Sequence, residues 1–567
     1  MSSLGYRTGV LAFLFLSMAI APDRAWARRS KSKGNQSVVQ NAGASKGSAP
    51  NLILVLVIDQ FRADYLMRFK SRFLPGGSAS GAKPGGFQYL TSNGAYYPFG
   101  QYDILQSMTG PGHATVLTGS YPYQSGIPLN AWYDVELKDQ FYCVEDRTKG
   151  SVGSAVKHAI GSSPIQLIGT TVGDELKNAG YPSRVVALAL KDRAAILLGG
   201  HRADLALWFD PGKYRWVSSQ YYLPEGQLPA WVNRLNDDVA KRIEQAPEWK
   251  MEGPATGFSL TDPMNVHAST RLVQGVSVDS MNMGISGIDL TEFSAERAIE
   301  ELKLGQNKTP DVLAVSFSTH DYLGHEFGPN SRELEEMTVF EDKALARLFE
   351  FVQKKVPGGL KNTLIVLTGD HGIPPNPDWL VKNKIDAGRI KEHELTKAIN
   401  SILNEKHGKP SSGDWITYVT EFNFYLNRDA ADSKQISLST LERDVKEYLN
   451  TVPGVAHVFS RTDYRERKLP PGVHERQILH TYFPKRSGDV IIIPKPFYMV
   501  EGDTVNHMTG YSYDRTVPIV FAGPGIQPGK YSTPAEVIDI APTLSFLAGI
   551  LPPSLSEGRV LSEALKK

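Results

Sequence analysis

Thr109 lies in the stretch Gln106-Ser-Met-Thr-Gly-Pro-Gly-His-Ala-Thr-Val-Leu-Thr-Gly119, where a hydroxyl meets a Gly/Pro-rich turn ahead of a helical run. A tight bend at Gly110, Pro111 and Gly112, with the helix opening over His113 to Leu117, would aim backbone N–H groups and the positive end of the helix dipole at an incoming anion. That arrangement suits phosphate and makes Thr109 the candidate nucleophile of a phosphoryl-transfer enzyme. Taken alone, the stretch reads equally as an ordinary capped loop, because Gly/Pro turns are common punctuation. The remaining polar residues have to decide between the two.

Three runs that read as buried strands, the first of them unbroken and apolar, each deliver acids or imidazoles. Asn51 to Ile58 ends in Asp59, Val312 to Phe317 leads to Asp321 and His325, and Thr363 to Leu367 leads to Asp370 and His371. A carboxylate after a strand is most often a turn residue. Three of them, two with histidines close by, favour a metal site at the ligand-binding edge of an open sheet. His507 sits in the polar loop Gly502-Asp-Thr-Val-Asn-His-Met-Thr-Gly-Tyr and is a further candidate ligand, although a lone loop histidine usually stays at the surface. Lys191 and Arg193, one residue apart after the run Arg184 to Leu190, could grip phosphate oxygens, the default for such a pair being a solvated turn.

Hydrolysis through a hydroxyl nucleophile needs that hydroxyl deprotonated, the leaving oxygen stabilised and the nonbridging oxygens held, tasks that two divalent metals can share. Asp59, Asp370, His371 and Thr109 would make one site; Asp321, His325 and His507 would make a second with an open position. Carboxylate and imidazole ligands without thiolates favour zinc, with manganese or iron as alternatives.

The elements that must position these groups alternate strand and helix. Runs at Leu205 to Phe209 and Val517 to Ala522 add strands; Ala295–Leu302, Leu334–Val352 and Ala535–Leu547 carry helical spacing. The fold class expected is α/β: a doubly wound, mostly parallel central sheet with helices on both faces and inserted cap segments at about 211–290 and 373–485. Within the second insertion, Ile390–Leu403 and Leu441–Leu449 read as helices and Glu421–Leu426 as a strand, after which Asp489 to Ile493 returns to a strand.

The net charge of +1, from 61 basic and 60 acidic residues, gives no sign of nucleic acid or an anionic membrane as the main partner. Residues 1–27 read as a secretory signal, with Arg7, an apolar run from Gly9 to Ala21 and the small-residue exit Ala25-Trp-Ala27. That run is shorter than the roughly 20 residues a spanning helix needs, so cleavage and no membrane span are expected. Residues 28–49 have the composition of a flexible leader, and 50–567 would form the catalytic domain. Cys143, the single cysteine, excludes an internal disulfide and carries no motif.

Together, Thr109-Gly-Pro-Gly-His-Ala, Asn130-Ala-Trp-Tyr, Lys191-Asp-Arg193, Asp321-Tyr-Leu-Gly-His325, Gly369-Asp-His-Gly372 and His507 resemble the alkaline phosphatase superfamily. The likeness is to the single-threonine, phosphate-irrepressible bacterial alkaline phosphatases near the nucleotide pyrophosphatase/phosphodiesterase branch, over about residues 50–550. It implies that Thr109 is the nucleophile, passing through a phosphothreonine intermediate, with Asp59, Asp370 and His371 on one zinc and Asp321, His325 and His507 on the other. It also implies that Asn130, Lys191 and Arg193 contact the phosphoryl oxygens.

Diesterases of the superfamily lack this Lys-x-Arg pair, so an exported, periplasmic or secreted phosphomonoesterase is expected, a monomer acting on small phosphate monoesters and releasing inorganic phosphate. The alternatives are a phosphodiesterase/nucleotide pyrophosphatase, or a non-catalytic exported metal- or phosphate-binding protein. The sulfatase pattern needs a Cys or Ser where Thr109 stands, and a cofactor-independent mutase would not need export; both rank low.

Overall fold

The computed structural model describes residues 49–77, 83–154, 160–245 and 285–567. The signal over 1–27, the leader up to residue 48 and the 246–284 part of the first expected insertion lie outside the described residues. The architecture is arranged about β1 (Leu52–Ile58), whose side chains alternate between two apolar cores. Leu52, Leu54, Leu56 and Ile58 belong to one; Ile53, Val55 and Val57 belong to the other. A strand covered on both faces has no solvated side, so its run is apolar throughout.

β1 pairs in parallel with β10 (Asp311–Phe317) on one side and β11 (Thr363–Gly369) on the other. β7 (Val185–Ala189) and β8 (Leu205–Asp210) continue the parallel block beyond β10. Antiparallel strands extend both flanks: β18 (Thr516–Ala522) and then β2 (Gly94–Gln101) beyond β11, with β19 (Gly529–Lys530) at that edge. Past β8 come β9 (Arg215–Ser219), β5 (Glu145–Val152) and β6 (Ile160–Ser162).

Helices cover both faces. Arg332–Lys355, Ile285–Glu301 and Ala230–Glu244 pack on one. Thr109–Thr118, Val172–Asn178 and Ile540–Ala548 pack on the other. No helix among the described residues is long and apolar enough to cross a membrane.

A second sheet, β13 (Ile416–Thr420), β14 (Asn423–Leu426), β16 (Val490–Pro494) and β15 (Val455–Ser460), carries its own core with the helices Glu392–His407 and Leu438–Leu449. Two short ladders complete the strands: β3 (Ala131–Asp134) with β4 (Asp139–Tyr142), and β12 (Gly388–Ile390) with β17 (Tyr498–Val500).

Several sequence-based boundaries move. The 211–290 segment is not wholly an insertion, since β9 is a strand of the main sheet. The cap does not end near 485: β16 pairs with β14 and β15 in the small sheet, because an apolar run such as Val490-Ile-Ile-Ile carries no mark of which sheet it will join. The helix expected over Ala535–Leu547 starts only at Ile540, after a 3-10 turn at Val537–Asp539, and Ile390 ends a strand instead of opening a helix.

Leu56 is fully buried in the centre of the sheet, so Leu56→Ala should lower the unfolding free energy by about 2–5 kcal/mol, and Leu56→Met by less than about 1.5 kcal/mol. Urea titration reads both as midpoint shifts at constant slope. An alanine variant with an unshifted midpoint would remove β1 from the cooperative core.

Candidate active site

The register of the parallel block sets the site. Ile58 lies opposite both Phe317 and Gly369, so Asp59 and Asp370, the next residues, leave the sheet side by side. Ala189 lies opposite Ser316, which brings Lys191 to the same edge two residues later. After β10 the chain turns into the helix Thr319–Phe327, where Asp321 and His325, four residues apart, share one face.

Thr109 does not precede its helix, as the sequence reading had it, but is the first residue of the helix Thr109–Thr118, with Gly110, Pro111 and Gly112 forming the first turn. Proline is tolerated there because first-turn N–H groups have no partner within the helix. A Cβ at Gly112 would stand 2.4 Å from the Asp370 carbonyl oxygen, so only glycine lets this turn lie against the end of β11. The Gly110 N–H donates to Asn130 Oδ1 at 2.8 Å, so Asn130, just before β3, takes up one of the free donors at the helix start. The positive end of the dipole coincides with the Thr109 hydroxyl.

The three imidazoles are oriented alike. His371 Nδ1 lies 3.0 Å from Gly372 O, His325 Nδ1 2.9 Å from Val505 O and His507 Nδ1 2.6 Å from Ser107 O. A carbonyl oxygen can only accept, so each Nδ1 is the donor and each Nε2 presents its lone pair, the arrangement of a metal-ligating histidine. His371 Nε2 lies 3.4 Å from Asp59 Oδ1 and from Asp370 Oδ2. His325 Nε2 is 3.2 Å, and His507 Nε2 3.8 Å, from Asp321 Oδ1.

Two ligand groups emerge: Asp59, Asp370 and His371, and Asp321, His371 and His507, each with its ligand atoms within 4.8 Å of one another. His371 faces both groups, and His325 adjoins the second through Asp321. Asp59 Oδ1, Asp370 Oδ2 and His371 Nε2 are buried without a hydrogen bond. Orphaned carboxylate oxygens and an imidazole nitrogen at this spacing fit a divalent cation.

Lys191 bridges the two groups. Its Nζ lies 2.7 Å from Asp59 Oδ2, also donates to Asp321 Oδ2, and approaches Thr109 Oγ1 at 3.4 Å. Arg193 Nη2 reaches the same Oγ1 at 3.4 Å, while its Nη1 donates to Tyr142 Oη, itself donating to Asp192. Burial and the adjacent Asp370 push the Asp59 carboxyl well above the usual range despite Lys191. Burial also opposes ionisation of Asp321 and Asp370, but Lys191 and His325 outweigh it for the first, holding it well below the usual range, as His371 and His113 do for the second. The Lys191 ammonium, although buried, is held charged by Asp321 and Asp59. Burial lowers His371 and His507.

All the residues singled out in the sequence therefore meet at one edge. Sequence reasoning missed Gln60, whose N–H donates to Asp370 Oδ1 at 2.8 Å and whose Nε2 donates to Asp321 Oδ1 at 2.7 Å, tying the ends of two strands together. It also assigned no role to His113, whose Nδ1 lies 2.9 Å from Thr109 O and 3.2 Å from Asp370 Oδ2, with Nε2 2.8 Å from Ser316 Oγ. Both stand beside residues that were singled out, but contacts to distant strands leave no local pattern.

Residues 53–512 match the family model "Type I phosphodiesterase / nucleotide pyrophosphatase". The chain is 32% identical to the alkaline phosphatase PafA of Elizabethkingia meningoseptica over 546 residues, 92% of this chain and 96% of that protein. It is equally 32% identical to the alkaline phosphatase PhoV of Synechococcus elongatus over 573 residues, 98% of each. The crystal structure of wild-type PafA superimposes with a TM-score of 0.81 at 31% identity, covering 91% of this chain and 99% of that one. With the three parallel strands, the helix headed by Thr109 and the clustered acids and imidazoles all inside the matched region, the chain belongs to the type I phosphodiesterase/nucleotide pyrophosphatase family of the alkaline phosphatase superfamily.

Proposed function

We propose that this chain is an exported alkaline phosphatase that hydrolyses phosphate monoesters through a covalent phosphothreonine intermediate. The observation that carries the reading is the convergence of Lys191 Nζ and Arg193 Nη2 on Thr109 Oγ1, both at 3.4 Å, beside three carboxylates and three imidazoles. Its full-length relatives named alkaline phosphatases support it, and the signal-like residues 1–27 support export.

Asp59, Asp370 and His371 would hold one divalent cation beside Thr109, and Asp321, His325 and His507 a second; a donor set without thiolates favours zinc in both. When bound, two such ions supply positive charge that acidifies the threonine hydroxyl and offsets charge on the leaving oxygen. Thr109 Oγ1 attacks phosphorus, the ester P–O bond breaks and the alcohol leaves; water then attacks phosphothreonine, releasing inorganic phosphate and restoring the hydroxyl. Lys191 and Arg193, in reach of any phosphoryl group bonded to Oγ1, hold its nonbridging oxygens, as does Asn130 at the helix start. A monoester dianion has three such oxygens and gains most from two added cations.

The family model's own description favours a second reading, a phosphodiesterase. Replacing both Lys191 and Arg193 with Ala separates the two. Monoesterase kcat/KM should fall about 10²-fold or more, on the scale of losing preorganised transition-state donors, while diesterase activity falls little. Equal losses on matched mono- and diesters would defeat the monoesterase assignment.

Thr109→Ala distinguishes an enzyme from a metal- or phosphate-binding protein. Turnover of a phosphate monoester should fall on the order of 10³-fold or more, with metal content by elemental analysis and phosphate binding by calorimetry retained. Full residual activity would place the nucleophile elsewhere.

A further inference from the structure

The small sheet reaches the site through the tip of one hairpin. Thr420 pairs with Asn423, so β13 and β14 are joined by only Glu421 and Phe422, with φ of 51° and 68°. Two-residue hairpin turns with both φ positive strongly prefer Asn-Gly or similar, because a side chain clashes in the left-handed region. A Glu-Phe pair persists there only if its surroundings fix it.

They do so from several directions. The Glu392 carboxylate accepts the N–H of Phe422 and lies beside that of Glu421. Gln106 Nε2 donates to the Glu421 carbonyl at 2.6 Å, and Asn423 Nδ2 donates to it at 2.9 Å. Phe422 is 1% exposed and anchors the turn in the core of the small sheet. Gln106 lies three residues before Thr109, so the strained turn is pinned directly to the segment that presents the nucleophile.

The Glu421 side chain then faces the phosphoryl-binding groups. Its carboxyl lies beside the backbone N–H of Asn130 and in the field of the Arg193 guanidinium, while Oε2 is buried and makes no hydrogen bond. Asn130 thus meets both elements: its backbone N–H lies beside the Glu421 carboxyl, and its Oδ1 accepts the Gly110 N–H, which turns its Nδ2 donor away from Gly110. We propose that Glu421 is a positioning residue for phosphoryl recognition, through which the inserted sheet fixes Asn130 and Arg193 in register with Thr109.

This rests on the phosphatase reading above. Burial and the neighbouring Glu392 push the Glu421 carboxyl up to about 8, against the pull of Arg193 and the Asn130 N–H. A neutral acid can still accept the Asn130 N–H without repelling an anionic substrate, and a glutamine would do the same.

The test is a mutant cycle in the full-length, metal-loaded enzyme, with 4-nitrophenyl phosphate as substrate and inorganic phosphate as inhibitor. Glu421→Ala should lower kcat/KM and weaken phosphate inhibition, each about tenfold, the scale of one lost positioning contact. Glu421→Gln should stay within about threefold of wild type. In the Asn130→Ala/Arg193→Ala background, Glu421→Ala should cost less than about twofold, because the two side chains it positions against the phosphoryl group are gone even though the backbone N–H of residue 130 remains.

The proposal is overturned if Glu421→Ala keeps full activity, if Glu421→Gln loses as much as Glu421→Ala, or if the loss is undiminished in the double-alanine background, as general damage to the fold would produce. Should Glu421→Ala fail to fold, the glutamine variant and its own cycle with Asn130→Ala/Arg193→Ala carry the same comparison: a loss beyond threefold overturns the proposal. Wild-type turnover of the monoester tests the underlying reading separately, since its absence would sink the phosphatase assignment, not the ranking of variants in phosphate binding.

Discussion

Three carboxylates confined at one sheet edge are the constraint on which the rest of the site depends. Asp59, Asp370 and Asp321 are buried, and one ammonium, that of Lys191, bridges two of them. Burying like charges together is costly unless partners balance them. The cost is met by the apolar parallel block beneath, where the burial of β1, β10 and β11 on both faces fixes a register that leaves the acids no freedom to separate. Burial and the neighbouring Asp370 carboxylate push Asp59 upward, as such crowding requires. A cluster so biased toward negative charge, and ringed by imidazole lone pairs, is built for cations.

Lys191 links two tasks that are usually described separately. By contacting Asp59, Asp321 and Thr109 Oγ1 at once, it spans both candidate ligand groups and the hydroxyl between them. Arg193 approaches the same oxygen from the other flank, oriented by Tyr142 and Asp192 of the neighbouring ladder and helix. Under the proposed function, anion recognition and ligand geometry therefore share side chains, and a displacement of either cationic side chain is felt by both.

The parts of the molecule legible in the sequence are those whose signal is local. β1, β10 and β11 are mostly apolar runs, β1 and β11 followed directly by an acid, and the i,i+4 spacing of Asp321 and His325 predicts a shared helix face. The flanks are not legible in that way. β2 reads Gly-Ala-Tyr-Tyr-Pro-Phe-Gly-Gln and β5 reads Glu-Asp-Arg-Thr-Lys-Gly-Ser-Val, and both become strands through pairing that propensity does not announce. Conversely, β16 looks like a strand of the main sheet and belongs to the small one, because its partners, not its composition, decide. Gln60 and His113 stayed unassigned for the same reason: their roles reside in hydrogen bonds to residues hundreds of positions away.

Backbone strain marks the site independently of its chemistry. Gln60, with φ of 64°, directly follows Asp59, and Met508, with φ of 90°, directly follows His507. Each directly follows a candidate ligand side chain. Glycine would adopt these angles at less cost in the folded state, but it would add freedom to the unfolded chain and carry no side chain. Gln60 shows what the side chain contributes: it reaches Asp321 from the end of β1, and lies so close to the helix Thr319–Phe327 that a Cβ at Gly324 would stand 1.5 Å from its Oε1. A glycine at one position thus makes room for a strained glutamine at another, and the pair locks the end of β1 to the helix bearing Asp321 and His325. The unfavourable angle is the local consequence of a contact that holds two elements bearing candidate ligands at fixed separation.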